Sequence, residues 1–357
     1  MRRRALLALL GAPAWHAARA GAIEPRALVF PADFGAHPAL RTEWWYITGA
    51  LDAGTERCGF QITFFRSRTD VARDHPSRFA ARQLVFAHAA VTDLQQRRLR
   101  HDQAVARAGF GIAEAASGDT RLVLRDWTLA RDGPAASSRY RARAQSRSAG
   151  FAFDLVLEQT QPLLLQGADG YSRKGPLPAQ ASHYYSQPQL KVEGRLALDG
   201  RERRASGRAW LDHEWSEALL ADEAVGWDWV GMNLDDGSAL TAFRLRRADG
   251  SAFWAGGSFR RAGEPARDFA PDAVRFTPLA HWQSAATGAR YPVAWRIDTP
   301  AGTWQVRALV DAQELDSRAS TGSVYWEGIS ELLDAGARRA GVGYLEMTGY
   351  AGRLRLS

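Results

Sequence analysis

Two short segments of the chain combine carboxyl, imidazole and indole side chains. Asp212-His213-Glu214-Trp215 is the first, and Trp227-Asp228-Trp229 follows it. A carboxyl group in apolar surroundings has a raised pKa, because burial disfavours its charged form, and it can then act as an acid at neutral pH. Aromatic faces stabilise a desolvated cation by about 1 to 2 kcal/mol each. Together these groups could protonate an apolar molecule and stabilise the cation that results.

The first segment is predicted to be a strand, in which successive side chains point to opposite faces. Asp212 and Glu214 would then share one face, while His213 and Trp215 would share the other. A structural alternative is that the two carboxylates pair with Arg208 or another arginine and that the indole belongs to an ordinary core.

A mostly antiparallel β fold is predicted to position these segments. Apolar and polar residues alternate over 60–64 and 151–158, which is the period of half-buried strands. Asp199-Gly200 predicts a hairpin turn. Helical signals are limited to 216–224, which could form one or two turns, and 331–340, which could be a short helix or a long hairpin loop. Such a pattern favours sandwiches or closed barrels, because closure removes exposed strand edges.

A long internal repeat indicates two halves of similar design. The segment 44–54 matches 227–237 without a gap. Solenoid and propeller repeats run about 20 to 50 residues, so this much longer spacing suits a duplicated domain. We expect an all-β protein with an N-terminal domain at 21–187 and a C-terminal domain at 188–357. The crossing region is expected within 167–188.

The first 20 residues are typical of an export signal. Arg2-Arg3-Arg4 precedes the apolar run 5–12 and the small-residue site Ala18-Arg19-Ala20. The apolar run is shorter than the ~20 residues of a membrane span, and the arginine pair also resembles a twin-arginine signal. We therefore expect a periplasmic or secreted protein, exported by the Sec or twin-arginine route with cleavage near Ala20, and no transmembrane span in the mature chain.

Charge and motif content argue against several functional classes. Removing the four arginines of the signal lowers the formal charge from +7 to +3, and the other arginines are scattered, so no nucleic-acid partner is expected. Cys58 is the only cysteine, which leaves stability to core burial. We expect neither a metal nor another cofactor, because metal-ligand spacings, phosphate-binding glycine loops and a Gly-x-Ser-x-Gly motif are all missing from the sequence.

Motifs spread over most of the mature chain resemble one family. They are Thr42-Glu43-Trp44-Trp45-Tyr46, Phe86-Ala87-His88-Ala89, Ser182-His183-Tyr184-Tyr185-Ser186, 207–215, Gly226-Trp227-Asp228-Trp229, Tyr325-Trp326-Glu327-Gly328 and 343–350. In this order they resemble the carotenoid 1,2-hydratases and the related AttH-type secreted proteins. The resemblance implies two lipocalin-like barrels. It also implies hydration of an isolated carbon-carbon double bond in a long polyene, or other chemistry on a hydrophobic small molecule.

The resemblance also places functional residues at the His213-x-Trp215 pair. Hydration requires an acid aimed at one carbon, and Asp228, between two tryptophans, is our first prediction for the proton donor. Asp212 is the second. His213 would orient that acid or hold the attacking water. Strongly perturbed acids also occur in purely structural networks, so each role has a structural alternative.

Further aromatic and polar residues are predicted to bind the ligand. They are Trp44, Trp45, Tyr46, His183, Tyr184, Tyr185, Trp227, Trp229, Tyr325 and Glu327. Aromatic residues in strands are also common in cores. His88 is predicted to be a hydrogen-bonded core histidine, and structural salt bridges are the favoured alternative for Glu327 and Glu346.

Two functional hypotheses follow. The first is an exported enzyme that hydrates or otherwise transforms an apolar molecule in a cavity between the domains. The second is a non-catalytic carrier with the same cavity, serving an ABC-type export system. Only the enzyme needs an acidic group at the reacting carbon, so the polar groups of the cavity separate the two hypotheses.

Overall fold

The computed structural model of the protein describes residues 23–70, 75–77, 79–218 and 220–354. The predicted export signal lies outside these ranges. Within them the chain forms 23 strands and two short 3₁₀ helices, Ala32–Phe34 and Pro271–Ala273. They contain no α-helix, which confirms the all-β class, and no helix long and apolar enough to cross a membrane.

The first 13 strands form one antiparallel sheet. They are β1 (Thr42–Ala53), β2 (Glu56–Arg68), β3 (Gln83–Asp93), β4 (Arg98–Arg107), β5 (Ala113–Ala115), β6 (Arg121–Leu124), β7 (Trp127–Asp132), β8 (Arg139–Ser146), β9 (Phe151–Glu158), β10 (Leu164–Leu165), β11 (Tyr171–Arg173), β12 (Ala181–Leu198) and β13 (Arg201–Ser216). Their order is β4-β3-β2-β1-β13-β12-β9-β8-β7-β6-β5, with β10 and β11 paired to β12. The sheet curls so that the edge strand β4 approaches β6, which nearly closes a barrel.

The other ten strands form a second antiparallel sheet. They are β14 (Gly226–Leu234), β15 (Ala239–Arg246), β16 (Ala252–Arg260), β17 (Arg267–Asp268), β18 (Arg275–Gln283), β19 (Arg290–Thr299), β20 (Gly302–Ala308), β21 (Glu314–Ser317), β22 (Ser323–Leu333) and β23 (Arg339–Thr348). Their order is β17-β16-β15-β14-β23-β22-β20-β19-β18, with β21 paired to β22.

The internal repeat corresponds to equivalent strands in the two sheets. β1 lies between the next strand of its sheet, β2, and the last strand, β13. β14 lies in the same way between β15 and the last strand, β23. The repeated segments therefore begin two sheets of the same winding, as the sequence spacing predicted.

Alternating side chains fill the inside of each sheet. β8 and β9 bury every second residue, which is the pattern expected of strands with one face on a core. The inner face of the first sheet packs around Phe60, Ile62 and Phe64. The inner face of the second packs around Trp295 and Trp326.

The two sheets pack against each other through outer faces of β1, β13, β14 and β23. A separate apolar cluster forms there, with Tyr46 and Trp210 from the first sheet and Trp229, Ile329 and Tyr344 from the second. Hydrogen bonds also cross the interface. One of them joins His88 Nδ1 to the Tyr325 hydroxyl at 2.7 Å.

Several predicted elements can be compared directly with the strands. The Asp199-Gly200 turn joins β12 to β13 as predicted. The region 331–340 is the tight end of the β22–β23 hairpin, and the described residues of 216–224 contain no helix. The predicted boundary between residues 187 and 188 falls inside β12, whereas the two sheets separate between Ser216 and Gly226. The chain therefore passes to the second sheet later than the predicted boundary, because the β12–β13 hairpin completes the first one.

Candidate functional site

A cavity lies between the two sheets, where their outer faces meet. The volume open to the centres of water molecules is about 110 Å³. The side chains that line it are Trp44, Tyr46, Thr63, Phe65, His88, Lys174, Ser182, Tyr184, Asp212, Glu214, Ser216, Ala218, Trp227, Trp229, Phe243, Leu245, Thr321, Ser323, Tyr325, Glu327, Glu346, Thr348 and Leu354.

Strand alternation decides which side chains reach this cavity. Asp212 and Glu214 on β13 line it, while His213 and Trp215 of the same strand point into the first barrel. The same alternation on β14 turns the flanking tryptophans to the cavity and Asp228 away from it. Along these strands, alternate residues therefore face the cavity, and the residues between them face a barrel core.

Aromatic rings form much of the cavity wall. Tyr46 and Trp229 meet edge to face across the interface, with ring centroids 5.4 Å apart. The Trp229 indole N–H donates to the Tyr184 hydroxyl at 3.2 Å. The Lys174 ammonium lies over the rings of Tyr184 and Phe243, at 4.8 and 4.4 Å from their centroids. Such walls suit a ligand that is largely apolar and can stabilise positive charge in it.

Asp212 is the carboxyl group best placed for proton donation. It is only 4 % exposed, and burial raises its pKa to about 7. The Ser186 hydroxyl at 2.5 Å and the Trp210 indole N–H at 2.7 Å both donate to Oδ1. The Tyr184 side chain is a third hydrogen-bond partner of this carboxyl group. Asp212 thus offers a neutral acid at the cavity wall near neutral pH.

Glu214, the next cavity residue on β13, has a different environment. Its Oε1 accepts a hydrogen bond from the Ser182 hydroxyl and lies 3.0 Å from the Lys174 ammonium. The structural alternative named an arginine such as Arg208 as the partner, and in the structure the partner of Glu214 is a lysine. Asp212 and Glu214 therefore differ although they share one face of β13: Glu214 has the Lys174 ammonium beside it, and Asp212 has no cation beside it among the described residues.

Two more carboxyls stand on the wall formed by the second sheet. Glu327 on β22 and Glu346 on β23 are direct cross-strand neighbours. Burial raises the pKa of Glu346 to about 7. Burial, together with the charge of Glu346, raises the pKa of Glu327 well above its usual value. Neither carboxyl forms an ion pair with the residues described, so the favoured expectation of structural salt bridges was wrong.

His88 is a hydrogen-bonded histidine, as predicted, although it also lines the cavity. Its Nδ1 is 2.7 Å from the Tyr325 hydroxyl, and its Nε2 is 2.8 Å from the Ser320 hydroxyl. Burial lowers its pKa to about 3, so the imidazole is neutral at physiological pH. It serves to position Tyr325 at the cavity wall.

The predicted ligand-binding residues fall into two groups. Seven line the cavity and three point into the first barrel. The cavity group is Trp44, Tyr46, Tyr184, Trp227, Trp229, Tyr325 and Glu327, and the other group is Trp45, His183 and Tyr185. Trp45 and Tyr185 belong to the core of the first barrel because they have the opposite strand parity from the cavity residues.

The predicted His213–Trp215 pair exists, but it lies inside the first barrel and not in the cavity. The two rings are 4.6 Å apart, and His213 is fully buried. Its Nε2 lies 2.9 Å from Glu43 Oε1, and its Nδ1 lies 3.1 Å from the Tyr185 hydroxyl. Burial lowers the pKa of His213 to about 4, so it is a neutral, fixed imidazole. From this position it cannot hold a water against a ligand in the cavity.

Asp228, predicted first as the proton donor, also lies outside the cavity. Its Oδ2 accepts a hydrogen bond from Arg244 Nε at 2.7 Å and lies 3.5 Å from Arg246 Nε. Its Oδ1 accepts one from the Tyr350 hydroxyl at 2.9 Å. A carboxyl group paired with two guanidinium groups inside the second barrel belongs to a structural ion network, and from there it does not reach the cavity.

One group of described residues has the composition of a metal site. Ligand atoms of His37, Glu43 and His213 lie within 4.8 Å of one another. Burial acts to raise the pKa of Glu43, but hydrogen bonds from both imidazoles outweigh it and hold that pKa below its usual value. Arg66 Nε also donates to Glu43, at 2.8 Å. Protein donors therefore already satisfy this carboxylate, and an adjacent guanidinium disfavours a cation.

Sequence reasoning missed several cavity residues. They are Phe65, Lys174, Ser182 and Phe243. Glu346 was noted in the sequence but was not predicted to line the cavity. Alternation could have found Phe65, which pairs with Trp44 in the β1–β2 register. Lys174 comes from a segment between strands, and no periodic signal marks it.

The fold and the cavity define a class: a protein of two lipocalin-like sheets with an aromatic, carboxyl-bearing cavity between them. The AttH-like family model matches residues 21–350, so the chain belongs to the AttH-like family. A crystal structure assigned to AttH from Nitrosomonas europaea is 47% identical, with a TM-score of 0.85 over 92% of this chain and 99% of that one.

Two more distant structures share the fold. Kievitone hydratase from Nectria haematococca is 13% identical, with a TM-score of 0.69 over 91% of this chain and 94% of its own. CghA bound to Sch210972 is 15% identical, with a TM-score of 0.53 over 87% of this chain and 89% of its own. At these identities the likeness concerns the fold alone. No curated protein matches the sequence.

Proposed function

We propose that this protein hydrates an isolated carbon-carbon double bond of an apolar molecule bound between the two sheets, with Asp212 as the proton donor. The observation that carries the proposal is the buried carboxyl of Asp212 on an aromatic wall of the cavity, where burial raises its pKa to about 7. Kievitone hydratase has a related fold, which is consistent with hydration chemistry but supplies no residue roles.

The mechanism begins with transfer of the Asp212 carboxyl proton to one alkene carbon. The π electrons form the new C–H bond, and positive charge develops on the neighbouring carbon. The faces of Trp227 and Trp229 line the same cavity and stabilise that cation. Water then adds to the cation and loses a proton, so the alkene gains one water molecule overall.

The alternative function, a carrier of an apolar ligand, is less well supported by the cavity. A carrier needs an apolar pocket and no protonated acid. Four carboxyl side chains line this cavity among the described residues, namely Asp212, Glu214, Glu327 and Glu346. Burying acids in a cavity lowers the stability of the protein, because the charged forms lose their hydration. Such costly burial is typical of sites where the acids take part in catalysis.

Hydration can be tested with kievitone and with lycopene, a long polyene, as probes. Wild-type protein is expected to give a product heavier by one water molecule. Asp212→Asn is expected to lower the rate by about 100-fold or more, since it removes the acid. Asp316→Asn, at an exposed ion pair outside the cavity, is the matched control and is expected to keep the wild-type rate. Equal rates for wild type and Asp212→Asn would contradict the proposal.

Location and partners remain proposals that rest on the sequence. The predicted export signal would place the protein in the periplasm or outside the cell. An ABC-type export system is a proposed partner in the carrier hypothesis only. Processing near Ala20 can be checked by the mass of the protein isolated from its native cell envelope.

A further inference from the structure

The carboxyl pair on β22 and β23 is a second chemical feature of the cavity. Glu327 and Glu346 stand opposite each other in the strand register; Glu327 is buried, and Glu346 is partly exposed at the cavity wall. Directly opposed side chains in an antiparallel pair have Cβ atoms about 4.5 to 5.5 Å apart, close enough for their carboxyl groups to interact. The pair faces Asp212 and Glu214 of the other sheet, whose charges act to raise the pKa of Glu346.

Two adjacent carboxyls in a cavity wall cannot both ionise easily, so such a pair retains a proton. Burial raises the pKa of Glu346 to about 7, and burial with the Glu346 charge raises that of Glu327 further. Near neutral pH, Glu327 therefore keeps its proton, and Glu346 is poised between its two forms. A group in that state can accept a proton at little cost.

Unpaired polar atoms lie next to this carboxyl pair. Tyr46 approaches Glu327 from β1, yet its hydroxyl makes no hydrogen bond of good geometry with it. Glu327 Oε1 is likewise buried without a partner in the part of the chain described. Buried polar atoms left unpaired in this way commonly share a water molecule.

We propose that Glu346, together with Glu327 and Tyr46, binds the water that adds to the substrate and takes its proton. This inference rests on the proposed function. The water oxygen forms the C–O bond to the cation, and its O–H electrons stay on that oxygen as the proton passes to the Glu346 carboxylate. Asp212 has by then lost one proton and Glu346 has gained one, so the protein is reset when that proton returns to Asp212.

The other groups that face the pair leave this role to Glu346. The Lys174 ammonium is held by Glu214 on the opposite wall. His88 already has partners at both ring nitrogens. The Trp227 indole lies beside Glu346 as a donor and cannot accept a proton.

Isotopes separate the two halves of the reaction. The protein is incubated with kievitone or lycopene in deuterium oxide, and separately in ¹⁸O-labelled water. Glu346→Gln is expected to keep deuterium exchange into the alkene, because that step needs only Asp212. The rate of ¹⁸O incorporation is expected to fall by about 100-fold or more. Retained exchange also shows that the variant is folded. Asp212→Asn is expected to lose both signals.

Glu331→Gln is the matched control, because Glu331 lies on the same strand β22 and accepts a hydrogen bond from Arg307 outside the cavity. It is expected to behave as wild type. Unchanged ¹⁸O incorporation in Glu346→Gln would overturn the inference and leave the proposed function standing. Deuterium exchange lost together with ¹⁸O in a folded Glu346→Gln variant would also overturn it.

An infrared titration tests the pair without a substrate. Besides the contribution of Asp212, wild type is expected to show a protonated-carboxyl component at neutral pH that Glu327→Gln removes and Glu331→Gln retains. Should wild type hydrate neither probe, the proposed function fails for those compounds, and the infrared result alone decides on the proton-sharing pair. A band identical in wild type and Glu327→Gln would overturn it.

Discussion

At the scale of the residue, two neighbours on β13 have opposite environments. Asp212 faces the inter-sheet cavity and retains a proton, whereas His213 faces the first barrel and is a neutral hydrogen-bonded ring. The sequence indicated this parity, since alternation assigns the two residues to different faces. It could not indicate which face borders the cavity, because both faces are buried and apolar residues occur on each.

The free energy of unfolding of Asp212→Asn is expected to fall less than that of wild type as the pH rises. Burial raises the pKa of Asp212 to about 7, so the folded protein retains a proton that the unfolded chain releases near pH ~4. The stability linked to this proton is complete below about pH 4 and is lost as pH rises through about 7. Chemical denaturation across that window should show a steeper loss in wild type. Parallel curves would exclude a protonated Asp212.

Asp228→Asn is expected to destabilise the second barrel by about 3–5 kcal/mol, because it leaves the buried Arg246 and the partly buried Arg244 without the carboxylate between them. Urea denaturation measures this loss. Asp316→Asn, which breaks an exposed pair with Arg318, is the control and should cost about 1 kcal/mol or less. A similar small loss for both variants would show that the Asp228 network is not structural.

At the scale of the element, alternation predicted the strands well but not their partners. The segments around 60–64 and 151–158 are both strands; 151–158 alternates as expected, whereas 60–64 is buried on both faces, with Phe60, Ile62 and Phe64 in the barrel core. That β13 lies between β1 and β12 depends on contacts distant in sequence, which no local pattern contains. For 331–340 the hairpin-loop alternative is confirmed, because the β22–β23 pairing outweighs weak local helix propensity, whereas the described residues of 216–224 form a non-helical connection between the two sheets.

The contact of β2 with the second sheet gives a prediction at this scale. A Cβ on Gly59 would lie 2.6 Å from the Tyr344 hydroxyl and 2.8 Å from Ile329 Cβ. Gly59→Ala is therefore expected to push the sheets apart and destabilise the protein by about 1–3 kcal/mol, with weaker binding of an apolar dye in the cavity. Gly336→Ala, on an exposed turn, is the control. Unchanged stability in Gly59→Ala would mean that the sheets pack less closely there.

At the scale of the whole molecule, the sequence repeat predicted two similar halves, and equivalent strand orders confirm this design. The position of the cavity could not be read from the repeat. It is built from outer faces that become buried only when the sheets meet, and a single-sheet pattern cannot distinguish such a face from a core. For this reason Trp45, Tyr185 and Asp228 were predicted at the site alongside residues that do line it.

The extent of the interface predicts that the two sheets unfold together. It contains an apolar cluster and buried hydrogen bonds, including Thr92 Oγ1 to Gln313 Oε1 at 2.8 Å and Gln189 N to Asn233 Oδ1 at 2.7 Å. Denaturant unfolding followed by tryptophan fluorescence and by circular dichroism should give coincident single transitions. Two separate transitions would show that the halves are independent, and the cavity would then not be a fixed structure.

The protonation state of Asp212 is the most direct test of the central claim, that a neutral acid faces an apolar cavity between the sheets. Infrared difference spectra of wild type against Asp212→Asn measure it at about one pH unit below its pKa of about 7. We expect a protonated-carboxyl component in the difference spectrum that is present in wild type, disappears above neutral pH and is absent from the variant, while the Glu327 component is common to both proteins and cancels. Spectra without such a difference would show that Asp212 is ionised and would contradict its role as the acid.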